Sequence, residues 1–312
     1  MNRNLYTFSF KYFLYKYAIP FLFCIIIFLI SFNIILEKFL IGNSTISGAY
    51  KVERLLHHDL ENEIPILGSS RAEGSVYPDS LGKHIYNYGL AGVQDNVWIY
   101  FLEKELNKKH ETPILINFDI DGLGYDNGDI SYWMPNSWNK EIRSFFDNWT
   151  PKYLIPTIKY FGLFEQYFVS YMQDKLSLTG IANNGSLLER KVLLPEEFER
   201  LIIKRGKSEL YFKNDSLLNI RLFQLLKKNN NREIVFFIPP YHESYLNSIK
   251  NYDSVITYLN LLEAIPMVSV LNYSHLKFSQ NNYYNTTHLN YNGAMRFTNI
   301  LKSDLINMGL IE

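Results

Sequence analysis

Two short stretches far apart in the chain carry side chains suited to chemistry on a carbonyl or a phosphate. ILGSSRAEG (residues 66–74) sets two hydroxyls and a guanidinium directly after an apolar run. Gly68 permits a tight turn there, leaving a hydroxyl exposed with free backbone N–H groups beside it. The same residues also read as a plain strand-to-helix cap, since Ser is a favoured N-cap. YYNTTHLNYNGA (residues 283–294) holds one histidine, His288, in a polar, turn-rich setting where a buried core histidine would be unusual. An imidazole held in such a loop has a partner elsewhere, and a serine hydroxyl needs such a base to become a nucleophile. Arg71 can grip a carboxylate or phosphate bidentately, although an ion pair with a neighbouring acid is the commoner fate of such an arginine. His242, in IPPYHESY, follows a strand-like run and points to the same edge, where it can line a pocket. His57 and His58 fall on the polar face of a linker helix, where solvation is the plainer reading. No Cys cluster or H-E-x-x-H spacing supports a metal site, and no glycine-rich phosphate loop supports a nucleotide. No cofactor is expected.

The elements that must position these residues are legible as apolar runs. IPILGSS, HIYNYGL, TPILINFDI, REIVFFIPP and PMVSVLNYS are short and continuously apolar, as strands buried on both faces are. Segments of helical period separate them, such as QDNVWIYFLEKELNKKH and NDSLLNIRLFQLLKKNNN, and NYNGAMRFTNILKSDLINMG closes the chain. The alternation predicts an α/β fold, a parallel five-stranded sheet with helices on both faces and functional residues just past the carboxyl ends of its strands. Residues 122–213 interrupt the pattern as an insertion rich in aromatics, among them Trp133, Trp138 and Trp149, with weak helical stretches at 151–176 and 195–206. These aromatics can line a sugar-binding groove, pack a small helical subdomain, or lie on a membrane; packing is the plainest.

The N-terminal part is of another kind. AIPFLFCIIIFLISFNIIL (residues 18–36) runs without a charge for close to the ~20 residues that span a bilayer. Arg3, Lys11 and Lys16 precede it and no acid does, which predicts a cytoplasmic N-terminus and an exported remainder. A cleaved signal peptide is the rival, but no A-x-A-like site follows. The aromatics of residues 5–17 suit an interfacial belt or a short helix on the membrane surface. The expected organisation is a cytoplasmic N-terminus and anchor at 1–41, a linker and helix at 42–62, and the α/β domain at 63–312. The one cysteine, Cys24, lies in the span, so the exported part has no disulfide and relies on its core; 47% of the chain is apolar. Lys+Arg and Asp+Glu balance at 31 each, which points away from nucleic acid.

The order GSSR after the first strand, NYGLAG after the second and NTTHLNYNGA before the last helix resembles the SGNH (GDSL-like) hydrolase superfamily. Its membrane-anchored bacterial branch, which includes proteins of exopolysaccharide O-acetylation and of teichoic-acid D-alanyl transfer, is the most similar part. The resemblance covers nearly the whole exported region, the insertion least. It implies Ser70 as nucleophile, His288 as general base, and the N–H groups of Ser70 and Gly92 as oxyanion donors. It further implies an acyl-ester hydrolase or O-acyltransferase that works on a cell-surface polysaccharide beside a multi-span membrane O-acyltransferase. Two positions depart from the family pattern. After the third strand the family places an Asn oxyanion donor, whereas this chain has Asp121, with Asn117 further back; an ionised carboxylate would repel the oxyanion, so Asp121 either is protonated or, with Asp119, caps a turn or orients a neighbour. Asn285 stands where the family carries the Asp that orients the histidine. An amide can orient the ring but supplies no charge. This leaves open a slower Ser70–His288 pair, another acid supplying the charge, or an inactive domain that binds glycan or scaffolds an acylation complex. A phosphate cradle at GSSR is a third function, but it leaves His288 unexplained.

Overall fold

Five short runs rich in Ile, Leu, Val and Phe assemble into the parallel sheet. The computed structural model describes residues 9–178 and 180–312. The strands are β1 (Ile64–Leu67), β2 (Ile85–Asn87), β3 (Ile114–Asn117), β4 (Ile234–Ile238) and β5 (Val268–Asn272), in the order β2-β1-β3-β4-β5, all parallel. β4 is buried along its whole length, and its pleat divides the core. Ile234, Phe236 and Ile238 join one apolar layer with Trp98, Leu222 and Tyr258, while Val235 and Phe237 join the other with Ile66, Leu115 and Phe297. The helices supplying the first layer include α2 (Gly48–His57), α4 (Asp95–Leu106), α7 (Ser216–Lys228) and α8 (Tyr252–Glu263). α3 (Ser70–Ser75), α6 (Pro195–Gly206) and α9 (Tyr291–Asn307) contribute to the second.

α1 (Phe10–Ile41) contains the predicted span, with a mean hydropathy of 2.8 in its most apolar window and 11% of that window buried against the rest of the protein. It is long and apolar enough to cross a bilayer. Arg3, one of the three basic residues behind the predicted orientation, lies outside the described residues.

Between β3 and β4 lie two small ladders, Gly122–Leu123 with Lys213–Asn214 and Gly180–Asn183 with Ser186–Glu189. The helical stretch expected over 151–176 is helical only in α5 (Phe164–Leu176). Ahead of it Pro151–Leu154 and Ile158–Tyr160 form short 3-10 turns, because Pro156 cannot donate to a continuing ladder and Gly162 adopts φ +83°. Trp133 is fully buried and stacks on Phe145 at 4.3 Å, whereas Trp138 is exposed.

The order in which strands are added reverses at β1, with β2 on one side and β3 on the other. The crevice that opens at the carboxyl ends of such strands is where an open α/β sheet takes its ligands. Gly68 closes the turn out of β1 at φ +146°, and a Cβ there would meet Ala72 Cβ at 2.8 Å and Asn117 Cβ at 2.9 Å. From the other side Lys51 of α2, fully buried, donates to Glu73 at 2.6 Å and to the Gly89 carbonyl at 2.5 Å. The linker helix is thereby tied to the turn after β1 and the loop after β2. Gly68→Ala combines backbone strain with overpacking and should lower stability by about 2–4 kcal/mol; chemical denaturation of the full chain in detergent reads this, and an unchanged midpoint would refute the packing described.

Candidate active site

The turn out of β1 presents Ser70. Ser69 caps α3, its Oγ accepting from the Arg71 N–H at 3.2 Å and donating to the Asp119 carboxylate. Ser70, next in line, turns its hydroxyl outward, half-buried, with Oγ 2.9 Å from His288 Nε2. The two residues lie 218 positions apart in the chain. On its far side the imidazole places Nδ1 at 3.1 Å from Asn285 Oδ1 and 2.9 Å from Thr287 Oγ1. Asn285 Oδ1 also accepts from the Thr287 N–H (2.8 Å), the Thr287 hydroxyl (2.9 Å) and the His288 N–H (2.8 Å). Because the Asn285 oxygen can only accept, Nδ1 carries the proton and the Nε2 lone pair faces Ser70. An imidazole in this tautomer can take the proton of the serine hydroxyl.

Arg71 holds the loop that carries His288. Its Nε donates to the Thr287 carbonyl at 2.8 Å, and one terminal nitrogen donates to the carbonyls of Pro239 (3.0 Å) and Pro240 (3.3 Å) just past β4. The other terminal nitrogen lies 3.5 Å from Asp119, and the guanidinium stacks on the Tyr241 ring at 3.3 Å. With 3% of its surface exposed, Arg71 faces the pocket as a framework cation whose donors are largely committed to the protein. Burial, and after it the positive charge of Arg71, pull the His288 pKa down to about 4. The imidazole is therefore neutral at pH 7.

A pocket of about 340 Å³ opens in front of the pair. Gly92 lines it at φ +72°, with open space where a Cβ would stand, as a backbone must be to approach a ligand closely. Among the described residues, neither the Gly92 nor the Ser70 N–H has a bonded acceptor. The facing wall is acidic, formed by Asp95, Asp119, Asp121 and Asp126, with Arg205 among them. Burial and then the neighbouring Asp119 push the Asp95 pKa up to about 7, against the opposing hydrogen bonds from the Gly124 N–H and the Trp98 indole. Asp121 is raised by burial and by Asp119. Asn117 is buried in β3 with its Oδ1 unpartnered among the described residues.

His242 does not share this pocket. It caps the short Glu243–Leu246 helix, its Nδ1 accepting from the Ser244 N–H at 3.2 Å, and its ring lies edge-on to Phe198 and Tyr283. It lines a separate cavity of about 360 Å³ with His275 and Phe278. His57 is exposed, 3.1 Å from Asn136 Oδ1 and stacked on Trp138. The sequence reading passed over Thr287, Gln94, Tyr241, Tyr245 and Arg205, all of which line the Ser70 pocket. Thr287 was signalled by its place beside His288, and Gln94 by following Gly92 closely; for Tyr245 and Arg205, brought in by distant elements, no local signal exists.

No family model and no curated protein matches the chain. Among solved structures, a protein from Streptococcus pneumonia provisionally described as a platelet activating factor aligns over 87% of this chain and 96% of its own, at 14% identity and a TM-score of 0.39. At that score the likeness carries no argument about function.

Proposed function

We propose that this chain is a membrane-anchored, extracytoplasmic serine esterase or O-acyltransferase of SGNH type that acts on a cell-surface polysaccharide. The observation that carries the reading is the 2.9 Å approach of Ser70 Oγ to a His288 Nε2 whose Nδ1 is backed by Asn285 and Thr287. In this mechanism Ser70 Oγ forms a bond to the acyl carbonyl carbon as its proton passes to His288 Nε2. The oxyanion of the tetrahedral intermediate meets the N–H groups of Ser70 and Gly92, donors each worth about 10²–10³ in rate. Collapse breaks the bond to the alcohol oxygen, which takes the proton back from His288. Water or a sugar hydroxyl, deprotonated by the same imidazole, then removes the acyl group from Ser70, giving hydrolysis or transfer. Asn285 and Thr287 orient the ring. Asp121 lines the pocket with its carboxyl pKa raised by burial and by the neighbouring Asp119. Arg71 positions the histidine loop. A multi-span membrane acyltransferase delivering acyl groups through the bilayer is the partner that an anchored domain of this kind would serve.

The second reading, a non-catalytic domain that binds glycan or scaffolds an acylation complex, is favoured by the neutral Asn285 in place of an acid. A fluorophosphonate probe separates the two. Wild-type chain should be labelled and Ser70→Ala should not; equal labelling, or none in wild type together with unaltered glycan binding in Ser70→Ala, would move the assignment to the second reading.

Two further outcomes follow from the His288 environment. Only the neutral imidazole acts as base, so activity is present above the folded pKa and lost as pH falls through it. With p-nitrophenyl acetate, kcat/KM should hold down to about pH 5 and fall with an apparent pKa near 4; an acid limb at the ordinary histidine value of about 6.5 would contradict this environment. Asn285→Asp introduces a charge that stabilises the imidazolium. It should raise kcat by roughly tenfold or more, given the ~10⁴ that the reverse change costs in a serine protease, and move the acid limb upward. If neither rate nor limb responds, the weakened-triad account fails.

A further inference from the structure

The region between β3 and β4 exposes an apolar lobe that nothing in the site explains. Leu154, Ile155, Ile158, Phe161, Phe164 and Phe168 are all exposed, Phe161 at 93%. A contiguous apolar surface of this kind marks an interaction site. Its position relative to α1 identifies the partner. At the tip of the lobe, Thr157 donates its hydroxyl to the Leu29 carbonyl at 2.6 Å and its N–H to Asn33 Oδ1 at 2.9 Å. Four residues further along the same helix face, Glu37 pairs with Lys159 at 2.7 Å and accepts from the Tyr160 hydroxyl.

Depth follows from helix geometry. Lys16 and Glu37, the charges bounding the apolar stretch, are about 31 Å apart along α1 at 1.5 Å per residue, close to the ~30 Å of a bilayer's hydrocarbon core. Glu37 then marks one interface, with Asn33 about 6 Å and Leu29 about 12 Å inside it. A polypeptide turn at that depth must satisfy its polar groups internally, and the amides around the tip of this one are bonded within the protein. Thr157 spends both donors on α1, Pro156 has no N–H, and the amides of Ile158, Lys159, Tyr160 and Phe161 donate to Pro156, Ile155, Thr157 and Ile158. Lys159, the charge nearest the tip, is drawn back to Glu37 at the interface.

We propose that residues 154–168 are inserted into the bilayer leaflet beside α1, with lipid acyl chains covering the apolar lobe and fixing the height of the Ser70 pocket above the membrane. The proposal rests on the reading of α1 as a span. The test uses the full chain in phosphatidylcholine nanodiscs at one copy per disc, with bimane on a single cysteine at native Cys24, or at Phe161→Cys or Tyr125→Cys in a Cys24→Ser background. Tyr125, exposed beside pocket residue Asp126, serves as the aqueous control. Lipids brominated in the upper acyl chain should quench the label at 161 several-fold more than the label at 125, and aqueous iodide should do the reverse. Iodide quenching at 161 equal to that at 125, or a label at 161 shielded from iodide yet untouched by brominated lipid, overturns the proposal while lipid quenching at Cys24 preserves the span. If Cys24 is itself beyond reach of the lipid bromines, span and lobe fall together.

Discussion

The buried guanidinium of Arg71 is the contact on which the site's geometry depends. It touches the turn after β1 by belonging to it, the end of β4 through Pro239 and Pro240, the loop after β3 through Asp119, and the histidine loop through Thr287. Removing a cation from water is costly, and stranding one by deleting its partners typically costs about 3–5 kcal/mol. The cost is offset here by carbonyl acceptors, a carboxylate and the face of Tyr241, which together suit a planar, five-donor group and not the single point charge of a lysine. Three strand ends and one distant loop are thus held by one side chain. Burial is the larger cause of the lowered His288 pKa, and the same guanidinium charge adds to it, so the group that positions the imidazole also disfavours its second proton.

A second chain of contacts runs from the site to the apolar helix. Lys51 joins α2 to Glu73 of α3 and to Gly89 of the loop that leads to Gly92. Ahead of α2, Thr45 bonds Asp174 of α5 through its N–H (2.8 Å) and its hydroxyl (3.0 Å), and Tyr86 of β2 donates back to the Thr45 carbonyl at 2.5 Å. Residues 42–62 are therefore no slack tether: half of α2 is buried, with Ala49, Val52 and Leu55 in the first apolar layer. A pocket carried on such a strut keeps a defined orientation to α1.

How much of this was legible in the sequence varies with the range of the interaction. The strands were readable because a buried parallel strand is a local property, a short run of Ile, Val, Leu and Phe with no polar face. Ser70 was singled out from the two serines of GSSR, and paired with His288, by the resemblance to the SGNH superfamily, and the fold brings the two side chains to 2.9 Å. For Arg71 the sequence leaves open a substrate anion or an ion pair with a neighbouring acid, because it gives a side chain's identity and not its direction; the carbonyls of Pro239, Pro240 and Thr287, more than 160 positions away, and the carboxylate of Asp119 take up its donors. His242 follows β4 as expected, yet a local cap with Ser244 turns its ring into another cavity. The helical reading of residues 151–160 failed where apolar spacing competed with Pro156 and Gly162, and the bonds of Thr157 to α1 have no local signature at all.

Asn285 is where the local chemistry is least settled by the fold. Its Oδ1 receives four donors, from two backbone amides, a hydroxyl and the His288 ring, while an amide oxygen offers two lone pairs. Convergence of that kind is the surrounding of a carboxylate oxygen, so the loop is shaped for an acid that the chain does not supply. The geometric half of a triad survives, because direction comes from the donors and not from the charge. The electrostatic half is reversed: with no anion behind the ring and a guanidinium near it, the imidazole is a weaker base than an ordinary histidine. Brønsted behaviour then sets two effects against each other, a base that is always free at neutral pH and one that holds the serine proton less firmly. The first is worth little above about pH 7, where an ordinary histidine would already be largely free. In the proposed mechanism the second acts at every pH, so the amide would slow transfer from Ser70 while leaving its alignment intact.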